Sequence, residues 1–243
     1  MRAFVFAKRN TKEILRDPLS YLFGIGFPVV LLVLLTAIQH NIPLPLFELD
    51  NLTPGISVFG LSFLALFSAQ LTARDRGSSF LARLLTTPMR AADYILGYIL
   101  PFLPMALLQC GVVIGAACLL GLPISGKLFL LIISILPSAL LFVCLGTALG
   151  NCLNEKQVGG ICGALLTNLS AWVSGIWFDP ITIGKGFMRF CELLPFIHSV
   201  RLGQLAITPF SADFASELLW VSGYALAFLL LSILLFAKNI KQS

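Results

Sequence analysis

The most regular feature of this chain is an alternation of long apolar runs with short polar connections. Six runs, at residues 19–38, 54–71, 94–122, 128–149, 158–177 and 218–237, are each about the 20 residues needed to cross the hydrocarbon core of a bilayer as a helix. The expected architecture is therefore an all-α integral membrane protein with six transmembrane helices in a single domain, 1–243. Pro101 and Pro104 fall inside the third run and predict a kink there, since each removes one rung of helix hydrogen bonding.

Three polar segments carry helical patterning of their own. At residues 1–18, Phe4, Ala7, Thr11, Ile14 and Leu15 project to one side at 100° per residue, while Arg2, Lys8, Arg9, Lys12 and Arg16 project to another. This predicts an amphipathic elbow helix at the membrane interface, with Lys8, Arg9, Lys12 and Arg16 toward anionic headgroups. Asp17-Pro18 ends it. Between the second and third spans, residues 74–88 read RDRGSSFLARLLTTP. Phe80, Leu81, Leu84 and Leu85 share one helix face, Arg76 and Arg83 lie off it, Ser78 or Ser79 can cap the start, and Pro88 stops the helix. The third segment, 178–216, contains LLPFIHSVRLGQLAI, too short and interrupted to cross. It predicts a re-entrant or surface-lying pair of short helices.

Composition agrees with the pattern. With 58% apolar and 11% charged residues and a mean hydropathy of +0.96, the charges could not cover the surface of a soluble domain. The net charge of +5 reads as membrane orientation, because the basic residues flank spans, and no nucleic-acid partner is expected. Of the 16 Lys and Arg, Arg2, Lys8, Arg9, Lys12, Arg16, Arg74, Arg76, Arg83, Arg90, Lys156, Lys238 and Lys241 fall on one side and Lys127, Lys185, Arg189 and Arg201 on the other. That 12-to-4 split predicts cytoplasmic termini and a cytoplasmic 74–88 segment; the expected location is a plasma membrane, that of a bacterial cell.

Several apparent motifs carry little. GLPISGKL, at residues 121–128, has Leu128 where a phosphate-binding loop needs Ser or Thr for magnesium. The pairs Gly111/Gly115, Gly146/Gly150 and Gly159/Gly163 permit close helix approach and no chemistry. The six cysteines form no C-x-x-C or Cys/His cluster, so they read as reduced packing residues and metal binding is not expected. His40 and His198 read as surface or loop histidines. No span carries an ionisable residue at its middle, where an ion-coupled transporter would keep one, so energy must be supplied from outside the bundle. Catalysis is the weaker alternative: a membrane-embedded enzyme or immunity protein would have to use Asp179, Glu192, His198 and Asp213 of the outer loop. An ion-coupled secondary transporter is weaker still.

On these residues the chain resembles the permease subunits of type-2 ABC exporters. AKRNTKEILRDPLS is similar to the family's elbow helix, RDRGSSFLARLLTTP to its charged-plus-Gly segment running through a leucine pair to Thr-Pro, and LLPFIHSVRLGQLA to its outer re-entrant segment. The resemblance implies that residues 74–88 are a coupling helix seated in a separate ATP-binding subunit. Arg74, Asp75, Arg76, Gly77, Phe80, Leu81, Arg83, Leu84, Leu85 and Pro88 are the candidate contacts. It further implies a second permease subunit, alike or unlike, an amphipathic substrate such as a drug, peptide or lipid-like molecule, and no cofactor on this chain, ATP and magnesium being bound by the partner.

Overall fold

The computed structural model describes residues 2–42, 47–78, 80, 89–208 and 211–242, with the side chains of Arg2 and residues 240–242 excepted. Among these the chain is helical throughout and contains no strand. α1 is Arg2–Ile14. α2, Pro18–Gln39, includes a π-helical turn at Leu22–Gly26. α3 is Leu49–Arg76, α4 Ala91–Ile99, α5 Phe102–Leu119 and α6 Lys127–Cys152. α7 covers residues 155–173, with a π-helical stretch at Gly159–Leu166. A 3₁₀ turn at Pro180–Thr182 leads to α8, Lys185–Glu192, α9, Pro195–Ile207, and α10, Asp213–Gln242.

Among the described residues five helical stretches are long and apolar enough to cross a membrane: Pro18–Gln39, Leu49–Arg76, Ala91–Leu119, Lys127–Cys152 and Asp213–Asn239. The expected fifth span, 158–177, is not among them. Its helix begins earlier, on the polar Glu155, Lys156 and Gln157, and ends at Val173, which dilutes its hydropathy. Apart from the end of the third span, which stops at Leu119, the other boundaries move outward for a common reason: polar ends that hydropathy excludes still have backbone groups to pair, and the helix is where they pair. α3 therefore starts at Leu49, with Pro54 inside it, and runs to Arg76. The third expected span is two helices. The chain breaks at Leu100–Pro101 and restarts at Phe102, so Pro104 occupies the first turn of α5, where its missing N–H has no intrahelical partner to lose.

α3 is the axis of the bundle, packed by α2, α5, α6, α7 and α9. It can be surrounded because its sequence alternates large apolar residues with Gly55, Ser57, Gly60, Ser62, Ala65, Ser68, Ala69 and Thr72, all buried. The closest approach is to α6: a Cβ on Gly146 would lie 2.1 Å from the Ala65 carbonyl oxygen, and one on Gly150 2.5 Å from that of Ala69. Of the three G-x-x-x-G pairs this one is a helix-crossing point, whereas Gly111, Gly115 and Gly159 have nothing within 4 Å. Polar side chains bridge neighbouring helices where apolar surface alone would discriminate little in lipid. Ser68 donates to Val143 O at 3.2 Å, Gln109 to Ser57 O at 3.1 Å, and Ser232 of α10 to Cys144 O at 3.0 Å.

The two ends of α3 receive different covers. At the Arg76 end lie α1 and the start of α4; at the Pro54 end lies α9, whose Gly203 abuts Pro54. α9 has thirteen residues, about 20 Å of helix, short of the ~30 Å hydrocarbon core. Phe196, Ile197, Val200, Leu202 and Ala206 are all buried. The 178–216 segment thus contains two short helices, α8 and α9, with the second sunk among α3, α6 and α10.

Candidate partner-binding surface

The expected apolar side of α1 divides between the bundle, against which Ala7 and Ile14 are buried, and the outside. Phe4 and Leu15 point outward, 70% and 62% exposed, and the face against the protein is Ala3, Phe6, Ala7, Asn10 and Ile14. Spacing at 3, 4, 7 and 11 residues produces this stripe, and it escapes a hydropathy reading because Asn10 sits at its centre. The Asn10 side chain donates to Gly97 O at 2.9 Å. Phe6 lies against Gly97, where a Cβ would come within 2.3 Å of its ring, and meets Tyr94 and Tyr98 edge-on at 6.0 and 5.0 Å.

This packing brings Arg9 onto the last turn of α3. Its guanidinium donates to both carboxylate oxygens of Asp75, at 2.8 and 3.3 Å, and pairs with Glu13 at 2.7 Å. Tyr98 donates to Asp75 at 3.2 Å, and Arg74 pairs with Glu13. The Asp75 side chain is 4% exposed and that of Arg9 36%. A two-pronged Arg–carboxylate contact with a third donor is the arrangement that keeps a buried carboxylate solvated by protein. Arg9 is therefore turned inward, while Lys8, Lys12 and Arg16 remain exposed.

The candidate coupling residues divide accordingly. Arg74, Asp75 and Arg76 belong to the last turn of α3, which Gly77 ends, and are not the start of a separate helix. Their two arginines suit a helix C-terminus, where the backbone dipole favours positive charge. Asp75 is committed to Arg9 and Tyr98. The Ser78 Oγ accepts from the Phe80 N–H at 3.3 Å, and Phe80 is helical. The Phe80 ring stacks on Phe6 at 6.4 Å and lies under the Arg9 guanidinium at 4.3 Å, so it is held by α1. Leu81, Arg83, Leu84, Leu85 and Pro88 lie outside the described residues. Beside this end a cleft of about 680 Å³ is lined by Arg74, Arg76, Gly77, Ser78, Asn154, Glu155 and Lys156. Arg76 donates to Leu153 O and so ties the α6–α7 turn to the base of α3.

A second cluster at the other end was not legible in the sequence. His198, expected as a surface or loop residue, is 4% exposed. Its Nδ1 lies 2.5 Å from Glu217 of α10 and its Nε2 2.9 Å from the Glu192 carbonyl oxygen of α8. Arg201 sits 3.4 Å from Glu192 and 3.7 Å from Glu217, and the imidazole stacks on Trp220 at 4.9 Å and 3°. Burial disfavours the charged ring, but the Glu217 and Glu192 hydrogen bonds and the Glu217 charge outweigh it, holding His198 above the ordinary histidine range. Of the four candidate acids and bases, this brings His198 and Glu192 together; Asp179 instead caps the Pro180–Thr182 turn through the Ile181 N–H.

The fold is thus an apolar helical bundle with its ionisable clusters at the two ends and none at the middle of α3. The family model described as ABC-2 type transporter matches residues 2–207, from α1 through α9. The chain belongs to this family. It is a membrane-spanning subunit of an ABC-2 transporter, and the family's membrane subunit is not the ATPase, which implies an ATP-binding partner and usually a second permease. The matched region contains both ends of α3 and stops before α10. No curated protein matches the chain.

Proposed function

We propose that this ABC-2 membrane subunit is the permease of an ATP-driven exporter that moves an amphipathic small molecule, peptide or lipid-like compound outward, with ATP and magnesium bound on a separate subunit. The observation that carries this reading is the ABC-2 match over residues 2–207. In it, α7 is a sixth span, α1 is the interfacial elbow with Lys8, Lys12 and Arg16 toward headgroups, and α8–α9 form the outer re-entrant segment. The 12-to-4 distribution of Lys and Arg supports cytoplasmic termini and a bacterial plasma membrane. Two permeases, alike or unlike, enclose the path.

In this reading residues 74–88 seat in the ATP-binding subunit, and the Arg9–Asp75 pair, with Phe80 wedged under Arg9, ties that segment to α1 so that motion of the partner reaches α3 and α4 together. Arg74, Arg76 and Lys156 add a basic flank facing the partner. The test is Leu84→Asp, which places an unpaired carboxylate in the contact. A loss of a few kcal/mol weakens the complex about a hundredfold. Membrane level is expected to stay normal, while co-purification of the ATP-binding subunit and substrate-stimulated ATP turnover fall. A Leu84→Asp protein that still captures its partner and still exports refutes this role for the segment.

A further inference from the structure

Among the described residues the bundle holds two groups of buried ionisable side chains, and one of them is built around a histidine. In the His198 cluster both ring nitrogens face acceptors: a carboxylate oxygen of Glu217 at 2.5 Å and the carbonyl oxygen of Glu192 at 2.9 Å. A neutral imidazole carries one N–H, so it can satisfy one of these acceptors and must turn a lone pair toward the other. Only the doubly protonated imidazolium donates to both. The two acceptors belong to α10 and α8 and the ring itself to α9, so the proton count of one side chain decides whether its own hydrogen bonds reach both neighbours or one; Arg201 remains beside both carboxylates in either state.

Charge balance points the same way. On α8 the facing group is Glu192, on α10 Glu217, and on α9 itself Arg201, which is within 4 Å of both carboxylates. α8 also brings the buried Cys191 thiol beside Glu192 and Arg201, and among the described residues α3, α6 and α7, which also pack on α9, form no ion pair with it. With His198 protonated the cluster has two positive and two negative charges. Once it is neutral, Arg201 alone faces two carboxylates, one of them on a side chain 12% exposed. Trp220, whose ring is parallel to the imidazole, favours the cation further through its π face.

We infer that His198 is the proton site of a latch: protonated, it fastens α9 to both α8 and α10; deprotonated, it releases one of them, so that the short buried helix at this end of the bundle loosens as the adjoining solution becomes alkaline. The sign follows from linkage. A histidine whose pKa is raised by folding contributes stability that is complete below its unfolded value of about 6.5 and is lost as the pH rises through the higher folded value. The latch concerns the solution at the α8–α9 end, whichever compartment that is, and does not depend on the direction of transport.

The purified full-length chain in detergent exposes both ends to one pH. An imidazolium stacked on an indole quenches its emission, so tryptophan fluorescence is expected to rise in a step as pH increases, with a midpoint above 6.5, and the step is absent in His198→Gln. Glu217→Gln keeps the hydrogen-bonding shape and removes the charge, so its step moves to lower pH. Across the wild-type step, amide hydrogen exchange in Lys185–Glu192 and Pro195–Ile207, corrected for the intrinsic pH dependence, is expected to lose protection, while His198→Gln shows no pH-dependent loss. A fluorescence step that survives His198→Gln, or one that Glu217→Gln leaves in place, overturns the assignment of the proton site. A wild-type step without any change in exchange makes His198 a static core residue and overturns the latch.

Discussion

Arg9 with Asp75 at one end of α3 and His198 with Glu217 near the other both join a peripheral helix to the bundle through a buried carboxylate or imidazole. Both place the cation against an aromatic face, Phe80 in one case and Trp220 in the other. They differ in the cation. A guanidinium stays protonated at any accessible pH, so α1 is held to α3 by a contact that rising pH does not release. An imidazolium is conditional. One fold thus carries a fastening that alkaline solution leaves intact and one that it releases, and the difference lies in the cation at each end.

The largest effect is expected where a charge is left without its partner. Arg9→Ala strands the Asp75 carboxylate with Tyr98 alone and should cost about 3 kcal/mol or more, read as a lower unfolding midpoint in detergent, because an uncompensated buried charge costs more than the pair contributes. Adding Asp75→Asn should recover part of that loss. If Arg9→Ala unfolds like wild type, the fastening at this end is apolar and the comparison fails.

Next in size is the conditional end. His198→Gln at pH 6 should cost about 1–2 kcal/mol, since one of two hydrogen bonds from a charged ring is lost. At pH 9 the difference from wild type should shrink, because the wild type has by then lost the same interaction. Melting curves at the two pH values measure both. Arg9→Ala, compared the same way, should show no such convergence.

The aromatic covers give a finer test. Phe80→Ala removes the face beneath Arg9 and the Phe6 stack, at about 0.5–1 kcal/mol for the cation–π part. The smallest change is expected from Arg74→Ala. Its side chain is half exposed and its partner Glu13 keeps Arg9, so the loss should be under about 1 kcal/mol and should diminish further in salt. A large effect of Arg74→Ala on stability would mean that the Glu13 bridge, not Asp75, carries the joint.

Much of this arrangement follows from sequence alone. Apolar runs of bilayer length exclude a soluble fold, because every backbone group must be paired within its own segment in lipid. Asp17-Pro18 marks a helix boundary from local chemistry: the Asp17 side chain accepts from the Leu19 N–H and Pro18 occupies the first helical position. Pro101 breaks its helix where a missing N–H requires it. These are short-range rules, and sequence carries them completely.

Which polar residues meet depends on how the helices pack. Arg9 and Asp75 are 66 residues apart and His198 and Glu217 are 19 apart, so no spacing rule connects them. In sequence Arg9 reads as one of a basic helix face, Asp75 as part of the charged 74–88 segment and His198 as a surface or loop histidine. The face that α1 buries is centred on Gly97, which admits the Phe6 ring and offers Asn10 a carbonyl, so that Phe4 and Leu15 are left outside it. Likewise three G-x-x-x-G pairs look equivalent along the chain, and only at Gly146 and Gly150 does the α3 backbone come close enough to require them. Hydropathy determines which segments enter the bilayer, since that free energy is summed residue by residue along one helix. Pairing of charges and helix faces depends on distances between helices, which exist only once the bundle has closed.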